Sequence, residues 1–253
     1  MSKLLAGKNV LVTGGSQGIG AAIAMDLAEQ GACVILFSRN LEDAHLLVQK
    51  ITASRGLAYA YSVDICEERQ IENAVDLILK AHEKIDILVN CVGGFSQFLP
   101  IEQVTSAEWD LVMCLNLKSA FMMSRSVIPH MKSNQFGRII NIASIAANGP
   151  NPYGMSYLPY GTAKAGLIGF TKHLAKELGS FGITVNSVSP GTTITERVLK
   201  VRDAQSLERM ADQAPLKRLV TPKDTAQAVL FLASEGAGGI TGININVNAG
   251  VVM

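Results

Sequence analysis

Tyr160 and Lys164 stand four residues apart in Tyr160-Gly161-Thr162-Ala163-Lys164. On a helix, positions i and i+4 share one face. A cation held there favours the phenolate, drawing a tyrosine pKa down from about 10 toward neutrality. A tyrosine tuned in this way exchanges protons with an alcohol or a ketone at ordinary pH. The same spacing also serves as a plain surface pair, so the assignment depends on what else the chain carries.

A second candidate is Thr13-Gly14-Gly15-Ser16-Gln17-Gly18-Ile19-Gly20, between a first apolar strand and a first helix. Glycines let backbone approach a pyrophosphate, and a helix N-terminus offers it free N–H groups. The spacing G-x-x-x-G-x-G is slightly longer than the dinucleotide fingerprint. Glycines also simply make turns, but strand, glycines and helix fall in the order a mononucleotide site requires. The second strand ends Phe37-Ser38-Arg39-Asn40. An acid at that point would bind a ribose 2′-hydroxyl, whereas an arginine grips a 2′-phosphate bidentately. No acid is present, so NADP(H) is the expected cofactor, with NAD(H) open. In the alternative reading Arg39 is a solvated charge paired with Glu42 or Asp43.

The elements that must position these residues follow from periodicity. Strands are expected at Lys8–Thr13, Ala32–Ser38, Leu57–Ser62, Ile85–Asn90, Gly137–Ala143, Ile183–Ser189 and near Ile243–Val247. Helices are expected at Gly18–Gln30 (ended by Gly31), Leu41–Ser54, Glu67–His82, Tyr160–Phe181 and Pro222–Ser234, with two more in Ser106–Lys132. Thr192–Leu219 reads as a polar region. Apolar strands alternating with helices give an α/β fold: one Rossmann-type domain over residues 1–253, a doubly wound parallel seven-stranded sheet with helices on both faces.

Composition excludes several classes. The 253 residues carry Lys+Arg 22 against Asp+Glu 21, a net charge of +1. That provides no field to attract nucleic acid or anionic lipid. No apolar run approaches the ~20 residues of a membrane span, and the start is too quickly polar for a signal peptide. Cys33, Cys66, Cys91 and Cys114 are scattered and read as reduced, mostly buried thiols of a cytoplasmic protein. The four histidines have no metal spacing, so no metal is expected.

The motifs together resemble the short-chain dehydrogenase/reductase family along nearly the whole chain. They are Thr13–Gly20, Asp64 after the third strand, Asn90-Cys91-Val92-Gly93 after the fourth and Asn116 in a helix. Ser144 after the fifth, Tyr160/Lys164, and Pro190-Gly191-Thr192-Thr193-Ile194-Thr195 after the sixth complete them. The stretches Tyr160–Gly179, Gly182–Gly191 and Ile240–Gly250 are most similar to bacterial 3-oxoacyl-carrier-protein reductases. The resemblance implies that Tyr160 is the general acid in reduction and the base in oxidation. Lys164 lowers its pKa and binds the nicotinamide ribose. Ser144 steadies the substrate oxygen, and Asn116 holds a water for proton resupply. Gly14, Ser16, Gln17, Gly18, Ile19, Gly20, Ser38, Arg39, Asp64, Ile65, Asn90, Val92, Gly93, Pro190, Gly191, Thr193 and Thr195 complete the implied cofactor site. Each polar member has a simpler alternative: Ser144, Asp64 and Thr195 as caps, Asn116 as a structural helix residue.

There are departures from the family pattern. Gln17 stands where many NADP-using relatives carry a basic residue. Cys91-Val92 replaces Asn-Ala, and Ala249 a glycine. Ser144 to Tyr160 is three residues longer than usual. Tyr157 falls at the usual distance, but Gly161 rather than lysine follows it by four, so Tyr160 is preferred. The longer Asn148–Pro159 loop should reshape one wall of the cleft.

Specificity is expected from Gly93–Leu99, Asn148–Leu158 and Thr192–Leu219, the last as a lid. Phe95, Phe98, Leu99, Tyr153, Met155, Tyr157, Leu158, Val198, Leu199 and Met210 give an apolar lining suited to an acyl chain or hydrophobic ketone. An acyl-thioester substrate on an acidic carrier protein would need basic docking residues, for which Lys132, Arg138, Lys172 and Lys176 are candidates. The alternatives are an oxidoreductase of a free ketone or alcohol, and a nucleotide-binding regulator without catalysis. The family resemblance also implies a homotetramer.

Overall fold

The computed structural model describes residues 3–150, 152 and 156–252. Seven strands form one parallel sheet in the order β3-β2-β1-β4-β5-β6-β7. They are β1 (Asn9–Thr13), β2 (Cys33–Ser38), β3 (Leu57–Ser62), β4 (Ile87–Asn90), β5 (Gly137–Ile142), β6 (Ile183–Pro190) and β7 (Asn244–Val247). The central strands read as unbroken Val/Ile/Leu runs because both faces are covered. Val10 and Val12 of β1 face a layer built from α1 (Gly18–Glu29), α2 (Leu41–Ala53) and α9 (Pro222–Ala233). Leu11 faces the other layer, from α3 (Glu68–His82), α5 (Ser119–Ser133) and α6 (Leu158–Leu178). The strand order reverses between β1 and β4, and in such sheets the crevice outside the carboxyl ends at that point takes the ligand.

Three features depart from the sequence reading. The expected helix pair in 106–132 is one continuous rod: α4 (Ser106–Met113), a π turn (Cys114–Lys118) and α5. Among the described residues, Ser106–Ser133 is long and apolar enough by length and composition to cross a membrane, contrary to the sequence reading. It is nonetheless part of the core, because Met122, Met123, Val127 and Met131 are buried against the sheet. The polar stretch 192–219 contains two short helices, α7 (Glu196–Val201) and α8 (Ala204–Gln213), capped by the side chains of Thr195 and Asp203. Last, Cys66 and Cys114 are not separate thiols. Their sulfurs are paired across a sequence separation of 48, with Cα atoms 6.0 Å apart, while Cys33 and Cys91 are free.

Candidate active site

The crevice gathers side chains from four elements. Tyr160 lies in the first turn of α6, which starts at Leu158, two residues before the expected start, with Pro159 in its first turn. Lys164 follows one turn later and is only 2% exposed. Its Nζ donates to the Ile142 carbonyl at the end of β5 (2.7 Å). Asn116 sits in the π turn and is buried. π turns interrupt the regular helical ladder and recur at functional sites. The Asn116 amide donates to the carbonyls of Gly94 (2.8 Å) and Val112 (2.8 Å), and its oxygen accepts from the Gly94 N–H (2.8 Å). This fixes the loop after β4 onto the helical rod.

Lys164 and Asn116 meet at Gly93. A Cβ there would lie 2.8 Å from the Asn116 oxygen and 2.8 Å from the Lys164 nitrogen. Neither can yield freely, since both are buried and hydrogen-bonded. Gly93→Ala is therefore expected to reduce kcat/KM by at least about tenfold, with one-ångström misplacements at such sites worth up to ~10²-fold. Steady-state kinetics check this, and unchanged kcat/KM would show that the contact is not needed.

The electrostatics correct one expectation. Burial raises the Tyr160 pKa above its ordinary value and outweighs two opposing influences, the Ser144 hydroxyl and the charge of Arg197. Lys164 does not bring it toward neutrality. Its ammonium is 5.8 Å from the centre of the Tyr160 ring and donates one of its three hydrogen bonds to Ile142. Burial also lowers Lys164 itself to about 8. A phenol that stays protonated suits proton donation, the reductive direction. Burial lifts the Cys91 thiol to about 12, so it is no thiolate at neutral pH. Ser144 also caps the short helical turn Ile145–Ala147 by accepting from the Ala146 N–H (3.2 Å).

The glycine turn has the shape a pyrophosphate needs. Gly14 (φ +64°) and Gly18 (φ +53°) hold left-handed backbone, and a Cβ on Gly20 would lie 2.2 Å from the Gly14 carbonyl. No side chain caps the N-terminus of α1 at Gln17, so its first N–H groups stay available to an anion. These residues fit a dinucleotide. Gly20→Ala pits side chain against backbone, which cannot give way cheaply. It is expected to lower Tm by several degrees, read by thermal melting.

At the far end of this site, the hydroxyls of Ser16 and Ser38 lie 3.2 Å apart. Arg39 is exposed beside them and makes no ion pair among the described residues. Asp43 instead takes hydrogen bonds from Gln17 (2.6 Å) and Asn40 (2.7 Å). Asp64 accepts from the Cys66 N–H (2.9 Å), and Ile65 is buried beside it. Val92 packs against Gly14. Asn90 turns its amide toward Asn141 (2.8 Å), bridging β4 and β5. At the end of β6, Gly191 donates to Val247 (2.9 Å) and Thr193 to the Gly191 carbonyl (3.0 Å). Thr195 accepts from the Val198 N–H (3.3 Å) as the cap of α7 and lies against Gly18.

An aromatic wall faces Tyr160. The Phe95 ring centre is 5.0 Å from that of Tyr160, 5.0 Å from Tyr157 and 4.8 Å from Phe98. The Tyr157 hydroxyl is committed elsewhere, donating to Glu108 (3.1 Å). Met210, on α8, is buried. Tyr153 and Met155 lie outside the described residues. Arg138 is unsuited to docking a carrier protein: it is 6% exposed, at the opposite end of the sheet, and donates to the Gly137 carbonyl (2.8 Å). A hollow of about 460 Å³ beside β7 is lined by Arg218, Asn246 and Asn248 and by none of the catalytic candidates.

Two residues were missed in sequence. Arg197 of α7 reaches across the cleft, donating to the Phe95 carbonyl and lying against Gly94. Glu108 anchors Tyr157 and Ser96. The contacts Arg197–Phe95 and Glu108–Tyr157 join residues 102 and 49 positions apart, which no local spacing signals.

Comparison with known proteins agrees with this geometry. The family described as enoyl-(acyl carrier protein) reductase matches residues 14–252. The 3-oxoacyl-[acyl-carrier-protein] reductase of Rickettsia felis is 40% identical over 249 residues, covering 98% of each chain. A crystal structure provisionally described as a short-chain dehydrogenase/reductase from Burkholderia xenovorans superposes with a TM-score of 0.92 at 33% identity, over 98% of each chain. One provisionally described as a gluconate dehydrogenase from Agrobacterium tumefaciens gives 0.93 at 28% identity, over 100% of each. With its parallel sheet, glycine turn and Tyr160/Lys164 helix, the chain belongs to the short-chain dehydrogenase/reductase family, whose members are nicotinamide-dependent oxidoreductases.

Proposed function

We propose that this protein is an NADP(H)-dependent reductase of 3-oxoacyl thioesters. The observation that carries the reading is the meeting of Lys164 and Asn116 at Gly93, one helical turn from Tyr160, with Ser144 beside the phenol and Phe95 against its ring. The reductase from Rickettsia felis, similar over almost the full chain, points to the substrate.

The nicotinamide supplies the hydride when bound. The chain's own residues supply binding and the proton. Tyr160 donates its phenolic proton to the substrate's carbonyl oxygen as that oxygen gains charge. Ser144 donates a hydrogen bond to the same oxygen, stabilising charge where it develops. Lys164 holds the nicotinamide ribose and offsets the charge left on Tyr160. Asn116 keeps the Gly93-Gly94 loop against Lys164 and opens the route for proton resupply. Gly14, Ser16, Gln17, Gly18, Ile19 and Gly20 hold the pyrophosphate. Ser38 and Arg39 take the 2′-phosphate, Asp64, Ile65, Asn90 and Val92 the adenosine, and Pro190, Gly191, Thr193 and Thr195 the nicotinamide end. Residues 1–253 act as one catalytic domain, with 192–219 as a lid latched through Arg197, in a cytoplasmic homotetramer.

A second reading, reduction of a free hydrophobic ketone, draws on the docking face. With Arg138 buried and Lys132 facing Glu177 at 3.9 Å, only Lys172 and Lys176 remain of the basic candidates. NADPH consumption with acetoacetyl thioester and with a panel of free ketones separates the two. Thioester turnover at least about tenfold faster supports the first reading, and turnover of free ketones alone supports the second.

The reaction's pH dependence follows from Lys164. Its ammonium is needed charged, and its pKa is lowered to about 8. Tyr160, with its pKa raised, keeps its proton well beyond that. The kcat/KM for reduction is therefore expected to be flat below pH 8 and to fall about tenfold per unit above it. A limb starting instead near pH 10 would remove Lys164 as its cause.

A further inference from the structure

Cys66 and Cys114 carry an inference that the proposed reaction does not use. Cys66 directly follows Asp64-Ile65, in the loop between β3 and α3 expected to hold the adenine. Cys114 opens the π turn that carries Asn116 two residues later. Their Cα atoms are 6.0 Å apart, within the range a disulfide spans. Both residues are half-buried, accessible to a small oxidant yet held by surrounding structure. The Cys66 N–H is bonded to Asp64, and Asn116 is bonded to Gly94, so each cysteine adjoins a group that shapes the crevice. Cys33 and Cys91, the other two thiols, have no partner.

We propose that Cys66 and Cys114 are a redox modification site that couples the adenine loop to the Asn116 turn. The oxidant is a low-molecular-weight disulfide. One cysteine thiolate attacks it, releasing one small thiol and leaving a mixed disulfide. The second cysteine thiolate attacks the protein sulfur of that mixed disulfide and releases the second small thiol. The protein pair loses two electrons and two protons, and the small disulfide gains them. The new bond ties the adenine loop to the rod bearing Asn116. Oxidation thus preorganises the cofactor site and stiffens the fold, while reduction by a dithiol restores two free thiols.

The test treats the full chain with oxidised glutathione, then alkylates under denaturing conditions and maps peptides by mass spectrometry. A Cys66–Cys114 cross-link reversed by dithiothreitol is expected, with Cys33 and Cys91 alkylated. Tm should rise by on the order of 5–10 °C on oxidation. NADPH affinity should tighten by about three- to tenfold. The Cys66→Ser and Cys114→Ser variants should lose both responses. All four cysteines alkylated after oxidation would overturn the site, and a cross-link with unchanged affinity would overturn the coupling. The affinity arm rests on the NADP(H) reading, whereas mapping and melting do not, so the two failures are distinguishable. Should a serine variant fail to fold, wild-type mapping still decides.

Discussion

Replacing Tyr160 with phenylalanine is expected to reduce turnover by roughly 10²–10⁴-fold, the usual contribution of a general acid. Binding should barely change. The phenylalanine ring keeps its packing against Phe95, 5.0 Å away between ring centres. Ser144 keeps its cap on the Ala146 N–H. Lys164 keeps its bond to Ile142. Fold and cofactor affinity should therefore survive while the proton source disappears. Turnover is read by NADPH oxidation, and affinity by cofactor fluorescence titration. Near-normal turnover would mean that another group donates the proton. Tyr157 is poorly placed to take over, because its hydroxyl is bonded to Glu108 and its pKa is also raised, chiefly by burial.

The second large effect is a reversal of cofactor choice. Arg39→Asp is expected to change the NADPH-to-NADH ratio of kcat/KM by about 10²-fold or more. A charge-assisted hydrogen bond contributes ~1.5–3 kcal/mol, and the new carboxylate adds repulsion of the phosphate while accepting from a ribose hydroxyl. The geometry favours a clean result. Arg39 is exposed and has no ion pair to lose among the described residues, so the fold does not depend on it. Asp43 is already engaged by Gln17 and Asn40. An unchanged ratio would remove Arg39 from the 2′-phosphate site.

The sheet was legible because its strands are buried on both faces. Val10-Leu11-Val12 and Ile87-Leu88-Val89 leave no room for a polar periodicity. The glycine turn was legible because positive φ and close backbone approach admit no other residue. Helices α7 and α8 were not. Short, mostly polar helices have little period to read, and they are held by the caps Thr195 and Asp203. The i/i+4 spacing placed Tyr160 and Lys164 on one helix face. It did not reveal that burial would dominate both pKa values, because that burial involves groups distant in sequence, Phe95 against the Tyr160 ring and Asn116 beside Lys164 at Gly93. The Cys66–Cys114 pair and the reach of Arg197 to Phe95 join residues 48 and 102 positions apart, a juxtaposition only the fold creates.

The proposed 3-oxoacyl reduction is tested most directly by following label from NADPH dideuterated at C4. The enzyme is given equal amounts of acetoacetyl and crotonyl thioester, and the products are analysed by mass spectrometry. Reduction of a 3-oxoacyl thioester predicts one deuterium at C3 of a 3-hydroxybutyryl product, with the crotonyl thioester untouched. Deuterium in a saturated butyryl product, with the acetoacetyl thioester untouched, would contradict the account and place the chemistry at a carbon–carbon double bond.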